Sequence, residues 1–252
     1  MMPDTYSSSS FPTPQSRTVL VTGASGGIGR RLCLAFARDG LWVGVHYFSH
    51  REAAEDTLAE LTAAGGQGDL FQADIRCRDD VQAMVDDLQR RRGRLDVLLC
   101  NAGIAASHLV VRFPEADWQR IIETNLSGTY RSMTAAAAVM TTGGGSILVI
   151  GSYAGLHGTF GQGAYAASKA GLLGLVQTAA REWGPYNIRV NLACPGWQPT
   201  GLAGESYPSV EHLQDHVLGR VSNLNDVSMT ICRLAQLPDV SGQVWNLDSR
   251  IV

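Results

Sequence analysis

From Arg17 onward, short apolar runs alternate with stretches of helical periodicity, and few folds accommodate that rhythm. The strand candidates are Thr18–Thr22, Trp42–Tyr47, Asp69–Ala73, Leu95–Cys100, Ser146–Ile150, Ile188–Ala193 and Gln243–Leu247. Most are continuous apolar or β-branched runs rather than period-two alternations, as expected of strands covered on both faces. Between them lie helix candidates at Ile28–Asp39, Arg51–Ala64, Asp79–Arg92, Glu115–Met140, Ala164–Trp183 and Asn225–Leu237; the fourth is long enough to contain an interruption. Repeated βα units of this length predict an α/β fold on a doubly wound parallel sheet of about seven strands. No linker divides residues 17–252, which read as one domain. Residues 1–16, with four consecutive serines and interspersed prolines, read as a disordered tail. Residues 198–220 break the rhythm with Gly, Pro, Ser and His, and read as a lid over a substrate.

Composition removes several alternatives. A net charge of -3 over 252 residues leaves no footprint for nucleic acid or an anionic membrane. The one basic cluster, Arg90–Arg94, closes a predicted helix, where cations complement the helix dipole. No apolar run approaches the roughly 18 residues of a membrane helix. The five cysteines form no Cys-x-x-Cys pair, which predicts reduced thiols in a cytoplasmic protein. His157 and His212 lack metal-ligand spacing, so no metal is expected.

The first strand runs into Thr22-Gly23-Ala24-Ser25-Gly26-Gly27-Ile28-Gly29, and a helix follows. Glycines in a strand–turn–helix context allow close backbone approach to a pyrophosphate, which the helix N-terminus then binds through unpaired N–H groups. The second strand ends without the acid that would hold a ribose 2′-hydroxyl; the first acid beyond it is Glu52. Ser49, His50 and Arg51 stand there instead and suit a 2′-phosphate, which favours NADP(H) over NAD(H).

The chain has one lysine, Lys169, among twenty basic side chains. A composition so biased toward arginine retains lysine where a compact ammonium is required. Tyr165 lies four residues earlier, on the same face of a predicted helix. A phenol beside an ammonium suggests proton transfer. A cation about 4 Å away contributes roughly 4 kcal/mol at an effective dielectric of about 20. That would draw a phenol from about 10 toward 7.

Taken together, these residues resemble the short-chain dehydrogenase/reductase family, over about Arg17 to Asp248. Thr22-Gly23-x-x-x-Gly27-x-Gly29 is similar to that family's cofactor turn, within which Ser25, Gly26 and Ile28 would also meet the nucleotide. Asp74, with Ile75 beside it, matches the acid near the adenine. Asn101-Ala102-Gly103 matches the motif closing the fourth strand. Pro195-Gly196, and Thr200 beyond it, match the turn beside the nicotinamide. Asn125, Ser152, Tyr165 and Lys169 match the catalytic tetrad. The resemblance implies a Rossmann-type fold and a homodimer or homotetramer. It assigns Tyr165 as proton donor, with Ser152 hydrogen-bonding the same substrate oxygen. It assigns Lys169 to the nicotinamide ribose and Asn125 to a water leading to solvent.

Asn101–Ile104, Ile122–Leu126, Ile150–Ser152 and Tyr165–Gly171 look most like 3-oxoacyl-acyl-carrier-protein reductases. The implied reaction is NADPH-dependent reduction of a 3-oxoacyl thioester, with acyl carrier protein as the carrier. The same segments recur in polyol, steroid and xenobiotic dehydrogenases, so an NAD(P)-dependent alcohol, polyol or secondary-metabolite ketone dehydrogenase is the alternative, and a non-catalytic dinucleotide-binding protein the remote one. The chain departs from the resemblance at Gly26, where NADP-dependent relatives often carry a cation, and at Cys100, where an Asn is common. It also ends Asn246-Leu247-Asp248-Ser249-Arg250 in place of Asp-Gly-Gly. His157, Phe160, Trp197, Thr200, Leu202 and Tyr207 would wall the substrate pocket.

Overall fold

The computed structural model describes residues 16–198, 200 and 213–252. Continuous apolar runs become strands with both faces sealed. Every residue of β1 (Thr18–Val21), β2 (Trp42–Tyr47) and β4 (Val97–Cys100) is buried. So is all of β5 (Gly145–Ile150) except Gly145, and all of β6 (Ile188–Cys194) except Arg189. The partly exposed strands, β3 (Gln67–Gln72) and β7 (Val244–Asn246), are the two edges. The seven strands run parallel in the order β3-β2-β1-β4-β5-β6-β7.

The helices are α1 (Gly27–Arg38), α2 (Arg51–Ala63), α3 (Arg78–Arg92), α4 (Glu115–Ile122), α5 (Gly128–Met140), α6 (Tyr153–His157), α7 (Gly163–Trp183) and α8 (Leu224–Leu234). They sandwich the sheet. Leu32, Phe36, Leu61 and Ile231 from α1, α2 and α8 fill one core layer. Leu88, Met133, Met140, Leu172 and Val176 from α3, α5 and α7 fill the other. Each such side chain contributes about 1.5–3 kcal/mol on burial.

The expected doubly wound parallel sheet is therefore observed, with some strand and helix ends shifted by a few residues. The Glu115–Met140 stretch is interrupted by a π turn at Glu123–Ser127. Helix α6 was not expected, being too short to show periodicity. Most of the expected tail, and much of the expected lid, lie outside the described residues. No helix among the described residues is long and apolar enough to cross a membrane. The winding direction reverses between β1 and β4, and their carboxyl ends frame the crevice where folds of this kind bind ligands.

Candidate active site

The glycine-rich turn is seated against the end of β4 by one threonine. Thr22 Oγ1 accepts the N–H groups of Asn101 (3.0 Å) and Ala102 (3.1 Å) and donates to Leu99 O (3.2 Å). Asn101 Nδ2 donates to Thr22 O (3.0 Å) and Gly23 O (2.9 Å), so its amide builds the turn. Contact is close enough to exclude side chains. A Cβ on Gly23 (φ +64°) would lie 2.7 Å from Ala102 Cα, and one on Gly29 would collide with Gly23 O and Asn101 Nδ2. Gly27 (φ +55°) faces Thr200, whose Cβ would stand 3.2 Å from an added methyl. At Gly26 an added methyl would meet nothing. Gly26 is also the N-cap of α1, and no side chain caps that helix. Its first N–H groups are thus left for an anion, with Ser25 and Ile28 half-buried beside them.

His46 completes this cradle. It is buried at the end of β2, where its Nδ1 accepts the Gly23 N–H (3.0 Å) and its Nε2 faces Ala73 O (3.1 Å). The two bonds require the neutral ring with its proton on Nε2. Burial accordingly pushes its pKa down to about 4. The sequence places Thr22 in the cofactor turn but gives neither its anchoring role nor that of His46, because their partners are main-chain atoms distant in the chain.

Just beyond β3, Asp74 is held in an ion pair by Arg76 (2.6 Å), which keeps its carboxyl below the ordinary range. Ile75 is buried against Gly128, its side chain used in packing. Ser49 and Arg51 are exposed at the start of α2, where Arg51 pairs with Glu55 (2.8 Å).

The four expected catalytic residues come together beyond β4, β5 and β6. Tyr165 and Lys169 share one face of α7, with the Lys169 Nζ 5.8 Å from the phenol ring centroid. Lys169 is 5% exposed, and its Nζ donates to Ile150 O at 2.8 Å. Ser152 follows β5 directly and caps α6, its Oγ accepting the Ala154 N–H at 3.2 Å. Asn125 sits in the π turn, fully buried. Its Oδ1 accepts from Ile104 N, and its Nδ2 donates to Ile104 O and Ser168 Oγ (2.8, 2.8 and 3.1 Å). Both N–H donors of that amide are committed, which leaves Oδ1 as the side-chain atom with capacity to spare. A Cβ on Gly103 would lie 3.2 Å from that oxygen and 3.8 Å from Lys169 Nζ. Gly196 takes φ +75° at the end of β6, the left-handed region glycine tolerates.

The electrostatics differ from the sequence expectation. Burial raises the Tyr165 pKa above its ordinary value, with the Ser152 hydroxyl pulling the other way. Burial also lowers Lys169 to about 8. The neighbouring thiols offer it no anion: burial pushes Cys100 up to about 12 and Cys194 up to about 11. Lys169 therefore does not bring the phenol toward 7 in the protein alone, because desolvation opposes charge on both groups.

Among the expected pocket walls, Phe160 is 89% exposed and His157 stacks on Tyr153 at 4.5 Å. Leu202, Tyr207 and His212 lie outside the described residues. Among the described residues no three His, Cys, Asp or Glu side chains converge as a metal site.

A glycine cradle at the switch point, with a phenol, a hydroxyl and a buried ammonium beyond it, defines an α/β oxidoreductase built for a dinucleotide. The chain belongs to the short-chain dehydrogenase family, whose model matches residues 17–211, and is an oxidoreductase acting on CH–OH groups. It is 35% identical over 241 residues to a 3-oxoacyl-[acyl-carrier-protein] reductase of Synechocystis, covering 94% of this chain and 97% of that one. It is 35% identical to the corresponding Staphylococcus aureus reductase, covering 87% of this chain and 91% of the relative. The Staphylococcus epidermidis reductase is 34% identical over the same shares. A nicotinamide dinucleotide is the cofactor this membership implies. The residues fit it: the turn excludes side chains where a pyrophosphate would approach, and α1 leaves its N-terminus uncapped.

Proposed function

We propose that this chain is an NADPH-dependent ketoreductase that converts a 3-oxoacyl thioester to the 3-hydroxyacyl product, with the acyl group presented on a carrier protein. The observation that carries this reading is the meeting of Tyr165, Ser152 and Lys169 beyond the β4 and β5 ends, beside the glycine cradle. The relatives' printed activity supplies the substrate class. Lack of an acid at the end of β2, with Ser49 and Arg51 exposed there, supports NADPH over NADH.

When bound, the reduced nicotinamide supplies a hydride to the carbonyl carbon. Tyr165, Ser152 and Lys169 manage the charge that develops on the oxygen. A phenol with a raised pKa is fully protonated at neutral pH, so Tyr165 enters the reaction as a proton donor. Ser152 stands beside it as a second donor to the same oxygen. Once Tyr165 has given up its proton, the Lys169 ammonium stabilises the phenolate across the 5.8 Å that separates nitrogen from ring centroid. The bond to Ile150 O holds that ammonium in place. Asn125 braces the first turn of α7 through Ser168, which itself donates to Tyr165 O at 2.7 Å. The reading includes a homodimer or homotetramer formed through outer helix faces; α7 shows solvent the small residues Ala167, Ala170, Gly171 and Gly174.

The test is NADPH and NADH oxidation with acetoacetyl thioester and simple ketones. The thioester with NADPH should be preferred. Tyr165→Phe should lower turnover about a thousandfold, within the usual range for a general acid, while nucleotide affinity stays near wild type. Residual activity within tenfold of wild type would remove Tyr165 as the donor. Tight nucleotide binding with no turnover of any ketone would mark a dinucleotide-binding protein instead.

A further inference from the structure

The C-terminal sequence Asn246-Leu247-Asp248-Ser249-Arg250 departs from the Asp-Gly-Gly of relatives, and the structure shows what it builds. Asp248 and Arg250 form an ion pair whose side chains are 0% and 12% exposed. Arg250 Nε donates to Asp248 Oδ2 at 2.8 Å, and the Arg250 main-chain N–H donates to Asp248 Oδ1 at 2.9 Å. Asn246 Nδ2 adds bonds to Asp248 Oδ1 (3.1 Å) and Arg250 O (2.7 Å). Burial alone would raise the Asp248 carboxyl, but these donors hold it below its ordinary range.

This turn grips two segments of the active site. Asp248 packs on Gly196: a Cβ there would lie 2.6 Å from Asp248 Cβ. Arg250 lays its guanidinium on the Tyr153 ring, with Cζ 3.8 Å from the ring centroid. The other face of Tyr153 is stacked on His157 at 4.5 Å and 21°. Arg250, Tyr153 and His157 thus form one stack along α6, whose N-cap is Ser152. The turn is also tied to the chain after residue 212: Val217 N–H donates to Ser249 O at 3.1 Å, and Ser222 Oγ donates to Leu247 O at 3.0 Å.

We propose that Asp248 and Arg250 are positioning residues. By clamping Tyr153 against α6 and Gly196 against the end of β6, they fix Ser152 at the angle its hydroxyl needs. A neutral side chain in place of Arg250 loses the stack and leaves Asp248 buried without its partner. A cation held over an aromatic face and desolvated is among the stronger contacts of its kind. The planar fork matters here, because it stacks and pairs at once, which an ammonium cannot do. The kinetic consequence rests on the ketoreductase reading; the structural one does not.

The experiment therefore has two arms on the full-length protein with NADPH bound. In hydrogen–deuterium exchange, Arg250→Met should speed exchange of residues 153–158 at least tenfold while leaving the β1–α1 turn unchanged. In kinetics, Arg250→Met should lower kcat at least tenfold with KM for the thioester within threefold. Tyr153→Leu should reproduce both effects, Tyr153→Phe should behave as wild type because it keeps the aromatic face, and the double variant Arg250→Met/Tyr153→Leu should be no worse than either single one. Additive losses in the double variant, or unchanged exchange in α6, would overturn the clamp. If wild type turns over no ketone, the ketoreductase reading fails, and the exchange arm alone decides whether the clamp exists.

Discussion

Thr22 offers the most direct test of how the cofactor turn is held. Its side chain is 2% exposed, and its hydroxyl accepts two main-chain N–H groups, from Asn101 and Ala102. Thr22→Val keeps shape and volume but removes both acceptor bonds. Leu99 O retains the Thr22 N–H at 2.9 Å, so that carbonyl is not orphaned. The two amides are. A buried donor left unpaired costs about 1–3 kcal/mol, so losing the partner of two part-buried ones should destabilise the protein by roughly 2–6 kcal/mol. Thr22→Ser keeps the hydroxyl and loses one methyl group, which costs about 1 kcal/mol. Urea unfolding of the nucleotide-free protein at neutral pH measures both. Because Ala102 lies directly against Gly23, NADPH affinity should fall in the Val variant and hold in the Ser variant. If Val lies within about 0.5 kcal/mol of wild type, or Ser is as damaging as Val, the hydroxyl does not anchor the turn.

Lys169→Arg should lower kcat about a hundredfold, the scale on which misplacement by about 1 Å acts. The Lys169 Cβ packs closely on Gly155, and a wide planar fork differs in shape from the compact ammonium that bonds Ile150 O. An Arg variant with full turnover would show that charge alone suffices. His46 makes a prediction about pH. Its folded pKa of about 4 lies below the ordinary 6.5, so the unfolded chain binds the extra proton between those values. Stability therefore rises with pH across that window and gains nothing more from His46 above it. Between pH 7 and pH 5 wild type should lose about 2 kcal/mol more than His46→Asn, as measured by urea unfolding at the two pH values. Parallel losses in the two proteins would mean that His46 does not carry this term.

What could be read before folding depended on how local each feature is. The βα rhythm is a property of adjacent residues, so the sheet was legible almost throughout. The glycine spacing and the Tyr165–Lys169 pair are likewise short-range. They point to the cradle and the proposed proton donor because one turn of chain contains each. Asn125 gave a weaker signal, a poor helix former within a helical stretch, and the π turn there shows why it is tolerated.

Burial has no local signature. At the dielectric of a protein surface Lys169 would draw Tyr165 toward 7, whereas both groups lie where desolvation decides. A phenol at or above its ordinary value is protonated throughout the neutral range, so the proton for reduction is present, on a weaker acid than one tuned toward 7. The same shift makes it the poorer base for alcohol oxidation, which requires the phenolate. Long-range pairs were the other blind spot. His46 meets Gly23 across 23 residues and Thr22 meets Asn101 across 79. Arg250 meets Tyr153 only because β7 returns the C-terminus to the edge beside β6. The unusual C-terminus was visible as a departure, but its role needed the sheet order. In a parallel sheet the last strand ends on the same side as all the others, so whatever follows β7 emerges on the side of the sheet where β1 and β4 open the crevice. The buried Asp248–Arg250 pair packs this end of the chain against the segment that carries Ser152.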